Sequence, residues 1–358
     1  MVDLLVRRDD LRVVRVDAGE PARTDVAAGT VQFAVERFGL TANNLTYAVL
    51  GDRWRYWDHF PGPDGWGRVP AWGFGRVAAS GVDGVAVGDR FFGFWPMSSR
   101  VTLEVAADGG GVVDRSAARA SLPAVYTRYL RARPETGFPP EHDDAAAVLR
   151  PLFLTGWLLA DQLAARDWHG AGAVVLTSAS SRTAWCTATA IRARDDAPAV
   201  IGLTSAGRVD DTAGLGLYDQ VLAYDDVGAL PVDRGVVLVD VAGDAAVRAA
   251  VHERTQDVLR VSVVVGATHW TRAGDSSGLP GPAPVVFSAP DAAAEGAATS
   301  GAAAFARRLG AAWAAFVTDR VPGLLRFEHV TGADALAGAW SALLDGDVDP
   351  RRGLVVSL

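Results

Sequence analysis

The sequence contains no lysine and only one cysteine. All 34 basic residues are arginine, so no side-chain amine is available for Schiff-base chemistry or for a lysine general base. The single cysteine, Cys186, excludes an intrachain disulfide and a four-cysteine zinc site. The six histidines are scattered along the chain without the spacing of metal ligands. We therefore predict no metal site, and hydrogen-bond donors would have to polarise any carbonyl substrate.

Long apolar segments are also missing. The best uncharged apolar run, residues 151–160, has about half of the roughly 20 residues that a membrane span needs. The first ten residues, MVDLLVRRDD, lack the order of a signal peptide, in which a charged region is followed by an apolar core, so no signal peptide is expected. The net charge of −8 is spread along the chain, which argues against nucleic acid or an anionic membrane surface as a partner. We expect a cytoplasmic protein whose partner is a small-molecule substrate.

What the sequence does contain is the pattern of a two-domain α/β protein. Its 358 residues, 49% of them hydrophobic, suffice for two domains of ordinary size. Residues 1–105 alternate apolar and polar positions as half-buried strands do, and residues 106–170 change to helical spacing. Residues 171–285 alternate near-continuous apolar runs with helical segments, which indicates a parallel sheet covered on both faces. The remaining chain holds two alanine-rich helices, 301–318 and 332–345, and three short strands.

The stretch VVLTSASSRTAWCTATAIRA, residues 174–193, predicts a buried strand, a tight turn and a helix. This is the layout of a dinucleotide-binding site, but Ser178, Ser181 and Ala184 occupy the places where such a turn usually carries glycine. A helix N-terminus presents N–H groups and a positive dipole end to a phosphate. The turn adds side chains that suit phosphate oxygens, namely the hydroxyls of Ser180, Ser181 and Thr183 and the charge of Arg182. Alternatively, the serines and threonine only cap the helix.

The next strand, AVIGLTS, favours NADP(H) over NAD(H). It ends without the acidic residue that would accept hydrogen bonds from a ribose 2′-hydroxyl. Thr204, Ser205 and Arg208 follow instead, and this polar and cationic set suits a 2′-phosphate. Tyr224, after the third strand, is a candidate to flank the adenosine, although a tyrosine packed in the domain core is equally ordinary.

Across the whole chain, the order of segments resembles the medium-chain dehydrogenase/reductase superfamily. The resemblance rests on TVQFAVERFGLTANNLTYAVLGD, WGFGRVAASGVDGVAVGDRFFGF, the strand–turn–helix above and the closing ALAGAWSALLDGDVDPRRGLVVSL. The segments YWDHFP, WGRVPAWGFG, LPAVYTRYL and LRPLFLTGW are similar to one branch, the DUF2855 family. The resemblance implies a GroES-like, β-rich catalytic domain in residues 1–150 with a helical insert at about 106–150. A Rossmann doubly wound parallel sheet would follow in residues 151–284, and residues 285–358 would return to the GroES-like domain.

The resemblance also implies catalytic residues. Where zinc-dependent relatives carry ligands, this chain has Thr41-Ala42-Asn43-Asn44 and Ala71-Trp72-Gly73, so no catalytic zinc is expected. Zinc-free, quinone-reductase-like members carry an asparagine and a tyrosine in the loop that matches TANNLTYA. Tyr47 is therefore the candidate hydrogen-bond donor or proton source, with a pKa lowered by a nearby cation or nicotinamide, and Asn44 the orienting group. The open alternative is that the asparagines cap a helix and Tyr47 packs against it. His269, which follows the strand RVSVVVGAT, is a secondary candidate for nicotinamide contact or proton relay, or else a surface loop residue.

The expected activity is reduction of a carbonyl or conjugated alkene with NADPH. Five aromatic residues are candidates for a substrate wall, although packing explains them equally well: Tyr56, Trp57, Phe60, Trp72 and Trp157. Two other classes remain open. The protein could be a catalytically silent relative that binds a nucleotide or small ligand, or a cofactor-free lyase or isomerase that reuses the cleft. Dimers are common in the superfamily, so a homodimer is a further expectation.

Overall fold

The structure, a computed structural model, describes residues 2–265 and 278–358. The strands are β1 (Val2–Arg7), β2 (Val14–Ala18), β3 (Thr30–Leu40), β4 (Trp66–Gly67), β5 (Pro70–Ser80), β6 (Arg90–Pro96), β7 (Arg100–Ala107), β8 (Gly111–Asp114), β9 (Arg128–Arg131), β10 (Ala173–Leu176), β11 (Ala199–Thr204), β12 (Gln220–Ala223), β13 (Val236–Asp240), β14 (Leu259–Val264), β15 (Val285–Val286), β16 (Arg326–Thr331) and β17 (Arg352–Ser357). The α-helices are α1 (Ala42–Val49), α2 (Ala124–Thr127), α3 (Asp143–Ala164), α4 (Arg182–Arg192), α5 (Val209–Ala213), α6 (Ala245–Thr255), α7 (Ala289–Ser300), α8 (Ala302–Ala315), α9 (Val321–Leu324) and α10 (Ala333–Asp345). No described helix combines the length and the apolar character needed to cross a membrane.

The chain divides into two compact units. The first contains the residues up to Arg150 together with Leu325–Leu358, and the second contains Pro151–Leu324. Residues 285–324 thus lie in the second unit, whereas the sequence placed them in the segment that returns to the first. The reason is aromatic packing within the second unit, where Phe153 of α3 stacks on Phe316 at 4.8 Å between ring centroids.

The first unit is built on a closed ring of strands. Its large sheet has the order β16-β17-β3-β5-β6-β9-β8-β7, and an additional pairing of β3 with β7 joins the two ends of the six-stranded portion. A small sheet of β1, β2 and β4 accompanies it. The interior is aromatic: the ring of Phe33 contacts those of Phe91, Trp95 and Tyr129, and all four side chains are fully buried. Ring closure leaves fewer exposed strand edges, which protects a β-rich unit against edge-to-edge association.

Residues 106–150 do not form the expected helical insert. They contain β8 and β9, which complete the ring, whereas α2 is a single turn and only α3 is a long helix. The strand forms because Arg128, Tyr129 and Leu130 alternate exposed, buried and exposed, which is the period of a strand. Tyr129 packs closely against Gly93 of β6, where a Cβ atom would lie 2.2 Å from the ring.

The second unit carries a six-stranded, entirely parallel sheet. The strand order is β12-β11-β10-β13-β14-β15, and every neighbouring pair is parallel. The central strands β10 and β13 are buried along their whole length, as their near-continuous apolar sequences predict. Chain order reverses between β10 and β13, so the sheet has its topological switch point there, and ligands of open α/β sheets bind at the carboxyl ends of strands at such a point.

Candidate functional site

The turn that follows β10 adopts a glycine-like conformation without glycine. Ser178 has a φ of 52°, in the left-handed region, and is 5% exposed. The N–H of Ser181 donates to the Ser178 carbonyl over 2.7 Å and closes the turn, while the N–H of Ala179 donates to Leu203 of β11 over 2.9 Å. The sequence therefore located the turn correctly, and a serine occupies the left-handed position that glycine adopts at no steric cost.

Two tyrosines of the same unit bond to this turn. The hydroxyl of Tyr224 accepts a hydrogen bond from the N–H of Ser178 over 3.1 Å. The hydroxyl of Tyr218 donates to the carbonyl oxygen of Ala179 over 2.7 Å. Gly202 of β11 makes room for this approach, because a Cβ atom there would lie 2.8 Å from the Ala179 side chain and 3.0 Å from the Tyr218 ring.

The start of α4 combines a helix cap with groups suited to an anion. Ser181 caps the helix, since its hydroxyl accepts from the N–H of Ala184 over 3.3 Å. Arg182 and Thr183 lie in the first turn and are half-buried. The first N–H groups of any α-helix have no acceptor within that helix, and α4 is long enough to have a substantial dipole. The capping interpretation and the phosphate interpretation are therefore compatible at this turn.

The end of β11 carries the residues expected for a 2′-phosphate. The buried Thr204 hydroxyl donates to the hydroxyl of Ser180 over 3.2 Å, so the ends of β10 and β11 are joined by hydroxyl groups. Ser205 is exposed and Arg208 is half-buried. Within the part of the chain that the structure describes, no carboxylate lies within ion-pair distance of Arg208. A half-buried guanidinium beside two hydroxyl-bearing residues is a donor set that fits a phosphate group.

A buried ion pair at the end of β13 was not found from the sequence. Asp240 is 0% exposed, and its carboxylate accepts from Arg248 of α6 over 2.8 Å and from the hydroxyl of Thr177 over 2.7 Å. The Thr177 oxygen in turn accepts the N–H groups of Val241 and Ala242, each over 2.9 Å. This network fixes the residue that precedes Ser178. The feature of the sequence that could have indicated this network is the aspartate at the end of the apolar strand VVLVD.

In the first unit, Tyr47 of α1 has a hydroxyl that accepts two hydrogen bonds. The Nδ2 of Asn43 donates over 2.6 Å and the indole Nε1 of Trp72 donates over 3.1 Å. A phenol oxygen can accept and its O–H can donate, so two accepted bonds leave the proton available for an outside acceptor. Tyr47 is only 4% exposed.

Asn44 differs from its expected role. Its Oδ1 accepts from the backbone N–H of Thr41 over 2.7 Å in a capping box, and its Nδ2 donates to the Pro70 carbonyl over 3.0 Å. Both ends of the amide are thus used to fix α1 on β5. The neighbouring Asn43 contacts Tyr47 instead, because residues four apart lie on the same face of a helix.

Tyr47 belongs to an aromatic group that we call the tyrosine cluster: Tyr47, Tyr56, His59, Trp72, Phe94 and Tyr126. The hydroxyls of Tyr56 and Tyr126 lie 3.1 Å apart in a hydrogen bond. Burial raises the pKa of Tyr47 well above its ordinary value, with a smaller contribution from Tyr126. The expected lowering of this pKa by a cation is therefore not found, and Tyr47 stays protonated as a hydrogen-bond donor.

Burial also acts on the histidine of the cluster. It lowers the pKa of His59 to about 4, with the positive charge of Arg119 adding to the effect. His59 is thus neutral near pH 7. Neither His59 nor Tyr126 was a candidate from the sequence, since a loop histidine and a tyrosine in LPAVYTRYL gave no sign that tertiary packing would bring them to Tyr47.

The comparison with known families is decisive for classification. A family model described as "Protein of unknown function (DUF2855)" matches residues 38–349. The chain belongs to the DUF2855 family. No curated protein is significantly similar to this DUF2855 member in sequence.

Solved structures show the fold. The DUF2855 chain is similar to CurA from Vibrio vulnificus in complex with NADPH, at 13% identity, a TM-score of 0.60 and coverage of 100% of this chain and 99% of that one. It is also similar to the yhdH oxidoreductase from Salmonella enterica in complex with NADP, at 16% identity, a TM-score of 0.58 and full coverage of both chains. A quinone oxidoreductase from Coxiella burnetii matches at 13% identity and a TM-score of 0.53, over 100% and 99% of the two chains. At these identities the likeness shows the fold alone, which comprises a GroES-like domain and a Rossmann domain.

The remaining candidate site residues of this DUF2855 protein do not lie together in the structure. Tyr56 and Trp72 join Tyr47 in the tyrosine cluster. Trp57 and Phe60 lie instead in the main core of the first unit, where Trp57 fills the space beside Gly51 and Gly67. Trp157 packs edge-on against Phe305 of α8 within the second unit, at 5.3 Å between centroids. His269 lies outside the described residues. Among the described residues, no group of three or more His, Cys, Asp or Glu side chains could hold a metal ion.

Proposed function

We propose that this protein is a zinc-independent, NADPH-dependent reductase of a carbonyl group or conjugated alkene in a small organic molecule. The observation that carries the proposal is the β10–α4 turn at the switch point of a parallel sheet, with Ser178 in the left-handed conformation of a dinucleotide-binding turn. Two of the structures with a similar fold are complexes with NADP or NADPH. Those complexes support the same cofactor here.

In this proposal the second unit binds the cofactor. The N-terminus of α4, the hydroxyls of Ser180 and Thr183 and the guanidinium of Arg182 would hold the pyrophosphate. Thr204, Ser205 and Arg208 would hold the 2′-phosphate, and β11 has no carboxylate at its end that would repel it. When bound, NADPH supplies the hydride for the reduction.

The tyrosine cluster of the first unit supplies the hydrogen bond to the substrate. Asn43 and Trp72 already donate to the Tyr47 oxygen, so the Tyr47 O–H is oriented towards a different acceptor. That acceptor would be the substrate carbonyl oxygen, and a donor held there would stabilise negative charge on that oxygen. Because burial raises the pKa of Tyr47, the tyrosine acts as a donor of a hydrogen bond and solvent supplies the final proton.

Fluorescence titration tests the cofactor half of the proposal. The chain has 11 tryptophans, so bound NADPH should quench their emission by energy transfer and give a saturable curve. NADH should bind more weakly, because it lacks the phosphate that would contact Arg208. The proposal fails if neither nucleotide binds at millimolar concentration.

Turnover tests the reductase half. Purified protein with NADPH should oxidise the nucleotide in the presence of at least one member of a panel of quinones, enones and aldehydes, followed at the NADPH absorption band. Tight NADPH binding without turnover on any member would favour a catalytically silent nucleotide-binding protein over the reductase.

We further propose that the chain forms a homodimer. The two-residue strand β15 lies at the edge of the parallel sheet, and its Val286 side chain is 81% exposed. An apolar sheet edge is a template for pairing with a second copy. Light scattering coupled to size-exclusion chromatography should give twice the chain mass, and Val286→Lys should lower it; a monomeric wild type would contradict the proposal.

A further inference from the structure

The backbone of the phosphate turn is fully bonded at two successive residues. The N–H of Ser178 donates to Tyr224, and its carbonyl accepts from the N–H of Ser181. The N–H of Ala179 donates to Leu203, and its carbonyl accepts from Tyr218. All four polar backbone groups of the two residues therefore have partners inside the protein. Any phosphate must be bound by groups that follow Ala179.

Two of these four partners are tyrosine hydroxyls, and both come from the segment around β12. Tyr218 lies two residues before the strand and Tyr224 directly follows it. Their rings are buried or half-buried, and burial raises the pKa of each, so both hydroxyls stay protonated and neutral. A neutral hydroxyl can either accept or donate a hydrogen bond: Tyr224 accepts from the N–H of Ser178, and Tyr218 donates to the carbonyl oxygen of Ala179.

The left-handed conformation that these hydrogen bonds hold is unfavourable for Ser178, which adopts it. A left-handed backbone places the Cβ atom of an L-residue close to the following carbonyl, whereas glycine has no such clash. Ser178 therefore needs contacts that outweigh this penalty, and they must act on the backbone itself. The hydrogen bond from the Ser178 N–H to the Tyr224 hydroxyl is such a contact. Because Gly202 has no side chain, Ala179 and the ring of Tyr218 can both lie close to β11.

We propose that Tyr218 and Tyr224 are positioning residues that replace the missing glycines of the phosphate turn. They hold Ser178 and Ala179 in the shape that a glycine-containing turn adopts unaided, and so place the N-terminus of α4 for the pyrophosphate. This inference rests on the proposed NADPH site. It assigns Tyr224 to the turn rather than to a direct contact with the adenosine.

A rescue experiment separates the two roles of Tyr224. Tyr224→Phe removes the hydroxyl, so the turn spends less time in the binding conformation and the Kd for NADPH should rise about five- to tenfold. Ser178→Gly alone should change the Kd by less than about twofold, because glycine tolerates the left-handed conformation. The double variant should return the Kd to within about twofold of wild type, since glycine no longer needs the anchor. Tyr129→Phe, a buried tyrosine in the core of the first unit, is the matched control and should bind as wild type.

A second measurement uses the free protein and needs no ligand. Amide hydrogen exchange at Ser178 should be faster in Tyr224→Phe than in wild type, because the N–H loses its acceptor.

Tyr218→Phe should also raise the Kd for NADPH. The reason is that the carbonyl oxygen of Ala179 loses the hydrogen bond that the Tyr218 hydroxyl donates.

The outcomes distinguish this inference from the function on which it rests. If wild type fails to bind NADPH, the proposed function fails. If wild type binds and Tyr224→Phe binds equally well with unchanged exchange at Ser178, only the anchoring role is overturned. If Tyr224→Phe loses affinity and Ser178→Gly does not restore it, Tyr224 contacts the cofactor directly, and the anchoring role is again overturned.

Discussion

The indole N–H of Trp72 donates a hydrogen bond to the hydroxyl oxygen of Tyr47 over 3.1 Å. Trp72 is in β5 and Tyr47 is in α1, so the bond joins a rigid strand to the helix that carries the tyrosine. Together with the bond from Asn43 it occupies the accepting side of the phenol oxygen. The O–H of Tyr47 thus has one chemical use left, which is donation to a group outside this pair.

Removing that donor should slow the chemical step. We expect Tyr47→Phe to lower kcat about 10²-fold on any substrate that the panel identifies, as loss of one preorganised donor to a developing oxyanion does. The KM for NADPH should stay within about twofold, because the cofactor residues are elsewhere. Steady-state kinetics with NADPH varied at a saturating concentration of the substrate measure both. Unchanged kcat would remove Tyr47 from the mechanism.

Arg208 should decide between the two nicotinamide nucleotides. Arg208→Ala is expected to raise the Kd for NADPH about 10- to 100-fold through loss of a charge-assisted bond, and to leave the Kd for NADH nearly unchanged. Tryptophan fluorescence titration with both nucleotides gives the ratio. Arg192→Ala is the matched control, because Arg192 is an arginine of the same unit that pairs with Asp219. Equal weakening of both nucleotides by Arg208→Ala would contradict a 2′-phosphate contact.

Gly202 should not tolerate a side chain. A methyl group there would lie 2.8 Å from the Ala179 side chain and 3.0 Å from the Tyr218 ring, so Gly202→Ala should destabilise the protein by about 1–3 kcal/mol and weaken NADPH binding. Urea unfolding measures the first effect. Gly310→Ala, at an exposed site in α8 with open space around it, should be neutral or stabilising by up to ~1 kcal/mol. Equal stability of the two variants would show that the turn does not pack closely on β11.

His59 should make stability depend on pH in mildly acidic solution. Its pKa is lowered to about 4 from 6.5, chiefly by burial and then by Arg119, so the folded state binds fewer protons than the unfolded state between these values. Stability is then full above pH 6.5 and falls as the pH drops towards 4, by on the order of 3 kcal/mol. Urea unfolding at a series of pH values should show this slope in wild type and a shallower one in His59→Phe. Identical slopes would show that the buried histidine does not titrate as proposed.

Part of the fold could be predicted because burial leaves a direct trace in sequence. The strands β10, β11 and β13 are near-continuous apolar runs, since both of their faces are covered, and all three lie in residues 171–285, where such runs predicted a parallel sheet. The strand β9 was mistaken for a helix. Its alternation is only four residues long, and the contact that fixes it, Tyr129 on Gly93, joins positions far apart in the chain.

The candidate site also has parts that could be predicted from the sequence and parts that could not. The turn at Ser178 and the cationic set ending at Arg208 follow directly from local sequence, because strand, turn and helix are adjacent there. The exchange of roles between Asn43 and Asn44 could not be read from TANNLTYA, as it depends on which amide faces Pro70 and which faces Tyr47. Likewise, Trp57 and Phe60 look like Tyr56 in sequence, yet only Tyr56 packs on Tyr47.

The absence of lysine, the single cysteine and the apolar strand pattern together limited the chemistry and specified a parallel sheet with a turn suited to a phosphate. Those are properties of composition and of short segments, in which each residue acts through its near neighbours. How a turn without glycine keeps its shape was decided only in three dimensions. Tyr218, Tyr224 and Gly202 are 20 or more residues away from Ser178, and they reach it because parallel strands bring the ends of distant segments to one edge of the sheet.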